Sequence, residues 1–366
     1  MTHKVQVPLV KVHMPARELL LPRLEAVLYS GMIAEGEHVA AFEAACAEKF
    51  GLPNALAISS GTGALHIAFL LSGVRPGDEV ITTSMTAEPT NTTILNVGGT
   101  PVFADVDPET GNLEPGSVEA MITDRTKAIC VVHYAGYPAD LPALRRVADR
   151  HGIKLIEDCA HALGARCDGK PIGNHGDFSI FSFQAIKHMT TVDGGLLSVR
   201  DADLLDEARR LRWFGLTKGV PRTDVDILRP GFKYNMNNVA ATVGLCQLAT
   251  IDDLIARHIS NGRFFDQELQ GVAGLAPARV DPGVSPTYWL YTLLADDSDA
   301  VEKCLGSLGV MASKLHRPNH LHSAFAGFRR QDANLTSFYR RLVHIPCGWW
   351  VNDEDRERIV AALKAG

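Results

Sequence analysis

From Ala55 to Val199, short apolar or β-branched runs alternate with stretches of helical periodicity, and Gly, Pro and Asp punctuate the junctions. Strands are predicted over Glu79–Thr83, Pro101–Ala104, Lys127–His133, Lys154–Glu157, Phe178–Phe181 and Gly195–Val199, with helices over Ala64–Leu71, Thr90–Val97 and Asp140–His151. Runs such as Ala128-Ile-Cys-Val-Val132 show no polar alternation, as expected of strands covered by helices on both faces of a mainly parallel sheet. The pattern predicts an α/β large domain of three layers, α/β/α. Beyond Tyr234 a helical stretch, Asn238–Leu254 continued by Ala256–Leu269, leads into the Gly/Pro-rich segment Gly271–Pro286, which reads as a domain connection. A strand at Tyr288–Leu294 and helices at Ala300–Leu308 and Asp353–Ala365 suit a smaller α+β C-terminal domain. The expected division is residues 1–250 and 251–366, in keeping with a length of 366 residues.

Apolar residues at 46% and charged residues at 21% fit an ordinary globular protein and oppose disorder. A net charge of −6 opposes nonspecific binding to nucleic acid or to an anionic membrane, which needs a basic face. Seven scattered cysteines without a C-x-x-C pair oppose a disulfide framework or structural zinc, so a reducing cytoplasm is expected. The opening Met1-Thr-His-Lys-Val-Gln6 has no apolar signal core, and the longest apolar stretch, around Ala64 to Val74, is interrupted by polar residues.

Three segments carry residues suited to chemistry. Ser59-Ser-Gly-Thr-Gly-Ala-Leu65 places small residues at a helix start, where free N–H groups suit a phosphate, although a plain capped helix has the same composition. It matches neither a dinucleotide fingerprint nor a Walker A loop. In Leu155-Ile-Glu-Asp-Cys-Ala-His-Ala-Leu-Gly164 a buried strand is read as delivering Glu157, Asp158 and His161 to the C-terminal edge of the sheet, where ligands of open α/β sheets bind. A carboxylate there holds a pyridine nitrogen protonated, or else caps the next helix. The third runs from Phe178 to Gly195, where a strongly apolar strand is read as ending at Lys187; desolvation suits that amine to Schiff-base chemistry, whereas most lysines are solvated surface groups.

Together with Gly31-Met-Ile-Ala-Glu-Gly-Glu-His-Val39, Pro76-Gly-Asp-Glu-Val80, Phe103-Ala-Asp-Val-Asp-Pro108, Val132-His-Tyr-Ala-Gly-Tyr-Pro-Ala-Asp140 and Tyr234-Asn-Met-Asn-Asn-Val-Ala-Ala241, these segments resemble the nucleotide-sugar aminotransferases of the DegT/StrS family. The resemblance spans nearly the whole chain. It implies a fold type I transferase that uses pyridoxal 5′-phosphate, with Lys187 bearing the cofactor as a Schiff base and carrying the proton. Asp158 pairs with the pyridinium nitrogen, His161 contacts the cofactor's ring oxygen or face, and Gly61, Thr62 and Ser182 hold the phosphate. Asn235 reaches the phosphate of a neighbouring subunit's cofactor across a homodimer interface, and His316 lies near the acceptor pocket. The chain departs from the family at Ala87, where an aromatic residue usually covers the ring, and at Val192-Asp-Gly-Gly195, where Gly-Glu-Gly-Gly is usual.

The implied reaction moves an amino group from an amino acid, with glutamate expected, to a keto sugar, most simply a nucleotide-linked keto-deoxysugar of a polysaccharide or amino-sugar pathway. A keto-cyclitol acceptor and a cofactor-retaining sensor without turnover are the alternatives; a sugar dehydratase on this scaffold would carry histidine in place of Lys187. His316, His320 and His322 are spaced like metal ligands but read as a polar loop, and no metal is expected. Trp349-Trp350 reads as packing or interface, and Arg209-Arg-Leu-Arg212 as a solvated helix face.

Overall fold

The computed structural model describes residues 6–330 and 332–365, so most of the opening segment Met1–Gln6 lies outside the described residues. Its strands are β1 (Ala55–Ile58), β2 (Glu79–Thr83), β3 (Thr100–Ala104), β4 (Thr126–Val132), β5 (Lys154–Asp158), β6 (Arg166–Cys167), β7 (Lys170–Pro171), β8 (Phe178–Ser182) and β9 (Gly195–Val199). They are followed by β10 (Leu275–Pro277), β11 (Val284–Ser285), β12 (Tyr291–Ala295) and β13 (Leu342–Ile345). A seven-stranded sheet of order β1-β9-β8-β5-β4-β2-β3 forms the centre. Its strands β8, β5, β4, β2 and β3 run parallel, and β9 is antiparallel to both of its neighbours, so the protein is an α/β fold with a mainly parallel central sheet. The unbroken apolar runs of β4 and β5 are explained by burial from both sides: Ile129, Val131 and Leu155 pack into one core, while Ala128, Cys130 and Ile156 pack into another.

Two smaller sheets, β10-β12-β13 and β11-β6-β7, flank the centre. The segment read as a connection, Gly271–Pro286, is therefore structured, since β10 pairs with β12 and β11 with β6. Boundaries differ from the sequence pattern at several elements. The helix expected over Asn238–Leu254 ends at Leu248, and after a 58° bend a second helix runs from Ile251 to Leu269. The strand expected from Tyr288 begins at Tyr291, because Tyr288 takes a left-handed φ of 45° that an extended ladder excludes. The strand expected to end at Lys187 stops at Ser182, five residues earlier. Arg212 corrects the reading of a solvated face: it is buried and ion-paired with Glu35 and Glu43. Among the described residues no single helix is long and apolar enough to cross a membrane; only the bent pair 238–248 and 251–269 reaches that length and composition.

Candidate active site

The C-terminal ends of β4, β5 and β8 open into a cavity of about 360 Å³. Gly61, Thr62, Asp158, His161, Ser182, Lys187 and His316 all line it. Asn235 does not; it is buried beside Ile58, with its amide oxygen accepting from Lys233 Nζ.

Asp158 is the last residue of β5, in register with Val132 and Ile180 on either side. Its Oδ2 accepts from Thr90 Oγ1 at 2.9 Å and its Oδ1 from the Ala160 N–H at 3.1 Å. Burial pushes the carboxyl above its usual range, against the pull of the Ala160 and Thr90 donors and of the Lys187 and His133 charges. The charged form therefore calls for a cation at close range. Glu157, one residue earlier, projects to the other face of the sheet, as strand alternation requires. There it accepts from the N–H groups of Gly173 at 3.0 Å and His175 at 2.8 Å and pairs with His133 at 3.3 Å, so it is a structural group rather than a second site carboxylate. Burial raises its pKa, but His133 and the backbone donors more than offset this and hold it at about 2.

The helix Gly61–Leu71 starts beneath β8. Ser60 Oγ accepts from the Gly63 N–H at 3.0 Å and so caps the helix. A Cβ on Gly61 would stand 3.0 Å from Ser182 Cβ, and one on Gly195 would stand 2.6 Å from the Gly61 nitrogen. Both glycines are needed for the helix start and the strand ends to approach this closely, leaving a small-residue cradle with N–H groups at its floor.

Between Ser182 and Gly194 the chain closes on itself: the Phe183 N–H donates to the Gly194 carbonyl at 2.8 Å, and the Phe183 carbonyl accepts from the Thr191 N–H at 3.0 Å. Lys187 sits at the tip, its Nζ 4.2 Å from the centroid of the Trp289 ring. Burial lowers its amine to about 8, although Asp158 acts in the opposite direction. His161 stacks on Trp289 at 4.0 Å with 18° between the rings, and its buried Nδ1 has no partner. Its pKa falls well below the ordinary histidine value through burial first and the Lys187 charge second, which keeps the ring neutral. His316 lies parallel to His161 at 5.8 Å, lowered to about 4 chiefly by burial. It is presented by Leu315, a non-glycine residue at φ 56°. His188 turns away from the cavity, Nε2 lying 3.2 Å from the Thr287 carbonyl oxygen, so Lys187 alone of this pair faces the site.

His320 and His322 separate from His316: His320 Nδ1 bonds Ser84 Oγ at 2.7 Å, and His322 lies 3.6 Å from Glu88. Thr90 and Trp289 were not singled out by sequence reasoning. Thr90 stands three residues after Ala87, one of the positions where the chain departs from the family, and that nearness was its only signal. Trp289 had none, since it meets Lys187 across 101 intervening positions of no recognisable pattern.

The chain matches the DegT/DnrJ/EryC1/StrS aminotransferase family over residues 16–364. It is 34% identical over 350 residues to GDP-perosamine synthase of Caulobacter vibrioides (strain ATCC 19089 / CIP 103742 / CB 15), covering 93% of each chain. Among solved structures it resembles the sugar aminotransferase CalS13 from Micromonospora echinospora, with a TM-score of 0.95, 37% identity, and coverage of 99% of this chain and 100% of that one. It also resembles the PLP form of Spr1654, a putative sugar aminotransferase from Streptococcus pneumoniae, with a TM-score of 0.89, 25% identity and coverage of 97% and 98%.

Proposed function

Because the chain belongs to the DegT/DnrJ/EryC1/StrS aminotransferase family, we propose that it aminates a nucleotide-linked keto-deoxysugar at the expense of glutamate, with Lys187 and Asp158 as its catalytic residues. It is a sugar aminotransferase, which takes an amino donor and a keto-sugar acceptor, and its cofactor is pyridoxal 5′-phosphate. The residues fit that group. The glycine cradle at Gly61 and Gly195 suits a phosphate, the buried Asp158 suits a pyridinium nitrogen, and the unpartnered His161 Nδ1 suits the ring oxygen. Gly61, Thr62 and Ser182 would hold the phosphate. When bound, the cofactor supplies an electron-withdrawing ring that stabilises negative charge at the substrate carbon.

Lys187 would anchor the cofactor and, once its amine is free, would move the proton at the substrate carbon. Asp158 stays ionised when a cation stands against it, and Thr90 and Ala160 fix both of its oxygens. His161, held neutral, adds no competing positive charge. His316, beside Ala87 and Glu88 at the cavity's rim, is read as an acceptor-side residue. The observation that carries this reading is the convergence of Asp158 and Lys187 on one cavity at the sheet's C-terminal edge.

The same reading makes the protein a cytoplasmic homodimer with shared sites. In support, the cavity's lining includes the carboxylates of Glu88, Asp158 and Asp193 but no Lys or Arg other than Lys187, so anionic ligands call for help from a second copy. Asn235, outside its own chain's cavity, is assigned to the partner's phosphate. We keep residues 1–250 and 251–366 as the proposed division into a large cofactor-binding domain and a smaller one.

Reduction with borohydride followed by peptide mapping is expected to find the cofactor on Lys187; recovery on another lysine would end the assignment. The acceptor is tested by converting the cofactor to its amine form with glutamate, then offering nucleotide-linked 3-keto and 4-keto sugars beside scyllo-inosose. Return of the yellow band is expected with a nucleotide-linked sugar, and return with scyllo-inosose alone would transfer the assignment to a keto-cyclitol.

A further inference from the structure

Lys187 Nζ has no carboxylate within ion-pair distance among the described residues, and its near neighbour is the indole of Trp289, 4.2 Å from ring centroid to nitrogen. A tryptophan face is the strongest of the aromatic hosts for an ammonium, and the attraction grows where water is excluded. Trp289 is 2% exposed. Its Nε1–H donates to the carbonyl of Ile186 at 2.9 Å, the residue immediately before the lysine. One indole therefore touches both the amine and the backbone that carries it.

The backbone that carries the indole is fixed. A Cβ on Gly136 would stand 2.6 Å from the Trp289 backbone nitrogen, the Leu290 N–H donates to the Ala135 carbonyl at 3.2 Å, and the hydroxyl of the preceding Tyr288 donates to Asp266 at 2.7 Å. His161 stacks on the same ring system. A buried, rigid aromatic group with its N–H satisfied inside the lysine's own loop is more than packing, because core packing alone needs neither contact.

We propose that Trp289 is a positioning residue for Lys187, holding the ε-ammonium over its ring whenever the amine is free and fixing the loop through Ile186. This deepens the reading of Lys187 as cofactor anchor and rests on it. The titratable groups that act on the amine are Asp158, His161, His188 and His316. The three histidines are held neutral by burial, so the ammonium is balanced by Asp158 at longer range and by the indole at contact.

The test uses the full-length, cofactor-free chain. The rate of acetylation of Lys187 is followed by mass spectrometry against pH. The wild-type midpoint is expected near 8. Loss of the aromatic face in Trp289→Leu should lower it by about half to one unit, a three- to tenfold change in the protonation equilibrium. Trp289→Phe, which keeps a face and loses the N–H, should move it less. An unchanged or raised midpoint in a folded Trp289→Leu protein overturns the proposal, since mere admission of water would raise it. Should the leucine variant not fold, indole fluorescence of the wild-type chain minus that of Lys187→Met is expected to titrate at the same midpoint, and a flat difference overturns the proposal. Cofactor trapped on another lysine would sink the functional reading and leave this titration unaffected.

Discussion

Val192 holds a left-handed φ of 74° while exposing 60% of its surface, a conformation that crowds a β-branched side chain although its N–H donates to Thr190 Oγ1 at 2.9 Å. It stands where the family usually has glycine. Val192→Gly is expected to stabilise the folded chain by about 1 kcal/mol or slightly less, the glycine's extra unfolded-state freedom offsetting part of the relieved strain; a denaturation midpoint measures it. Lys187 sets a pH dependence. Its amine titrates at about 8 when folded, against 10.5 ordinarily, so between these values the unfolded chain binds more protons. The Lys187 contribution to the stability of the cofactor-free protein should therefore rise from about pH 8 to 10.5, read as the difference between wild type and Lys187→Met, and the rate of cofactor capture should climb to a plateau above about 8, where the amine is neutral. Asp158→Asn should fold and bind cofactor yet lose about tenfold in turnover for each unit by which the ring nitrogen's affinity for protons falls; near-normal turnover would reduce Asp158 to a cap. At this scale, Asp158 and Lys187 were legible because each ends or follows an apolar run at a sheet edge. Glu157 misled because adjacent strand residues face opposite ways, and Trp289 escaped because its contacts are tertiary.

Elements bounded by clear punctuation were read nearly to the residue: β2, β5 and β9 lie where periodicity and punctuation put them, and so does the terminal helix Asp353–Ala365. The helices Arg17–Tyr29 and Glu37–Phe50 were not. The first contains Pro22 and buries only Leu20 and Val27 while exposing Leu21 and Leu28, so its sequence shows no single apolar stripe. The bend after Leu248 was equally hidden, because apolar residues continue through it without Gly or Pro. The helix Gly61–Leu71 joins fold to chemistry, since its capped start is the floor of the cradle proposed for the phosphate. Ser60→Ala should cost about 1 kcal/mol of stability and weaken cofactor retention, which dialysis followed by absorbance would record.

At the scale of the whole molecule, Leu21, Leu28, Tyr29, Met32 and Ile33 are exposed together on the N-terminal helix and the turn after it. Their clustering supports the homodimer reading, as does a cavity poor in cations. Mixing Lys187→Ala with Asn235→Asp should create heterodimers with one intact and one doubly damaged site, regaining up to about a quarter of wild-type activity under random pairing. Heterodimers that form and stay inactive would remove Asn235 from the shared site. A further hydrophobic core, distinct from the two that cover the central sheet, draws on both ends of the chain: Val7 and Leu9 pack with Leu335, Ile345 and Ile359, Val7 bridges Val310, and Trp350 Nε1–H donates to the Pro8 carbonyl at 2.8 Å. During synthesis the earliest of these residues leave the ribosome on the order of tens of seconds before the latest, at about 5–20 residues per second. The amino-terminal arm must wait unattached through translation, and Trp289 gains its full surroundings only once the carboxyl-terminal helix has emerged. A chain released early would thus be deprived of the wall behind Lys187, although every residue proposed to touch the cofactor had already been made.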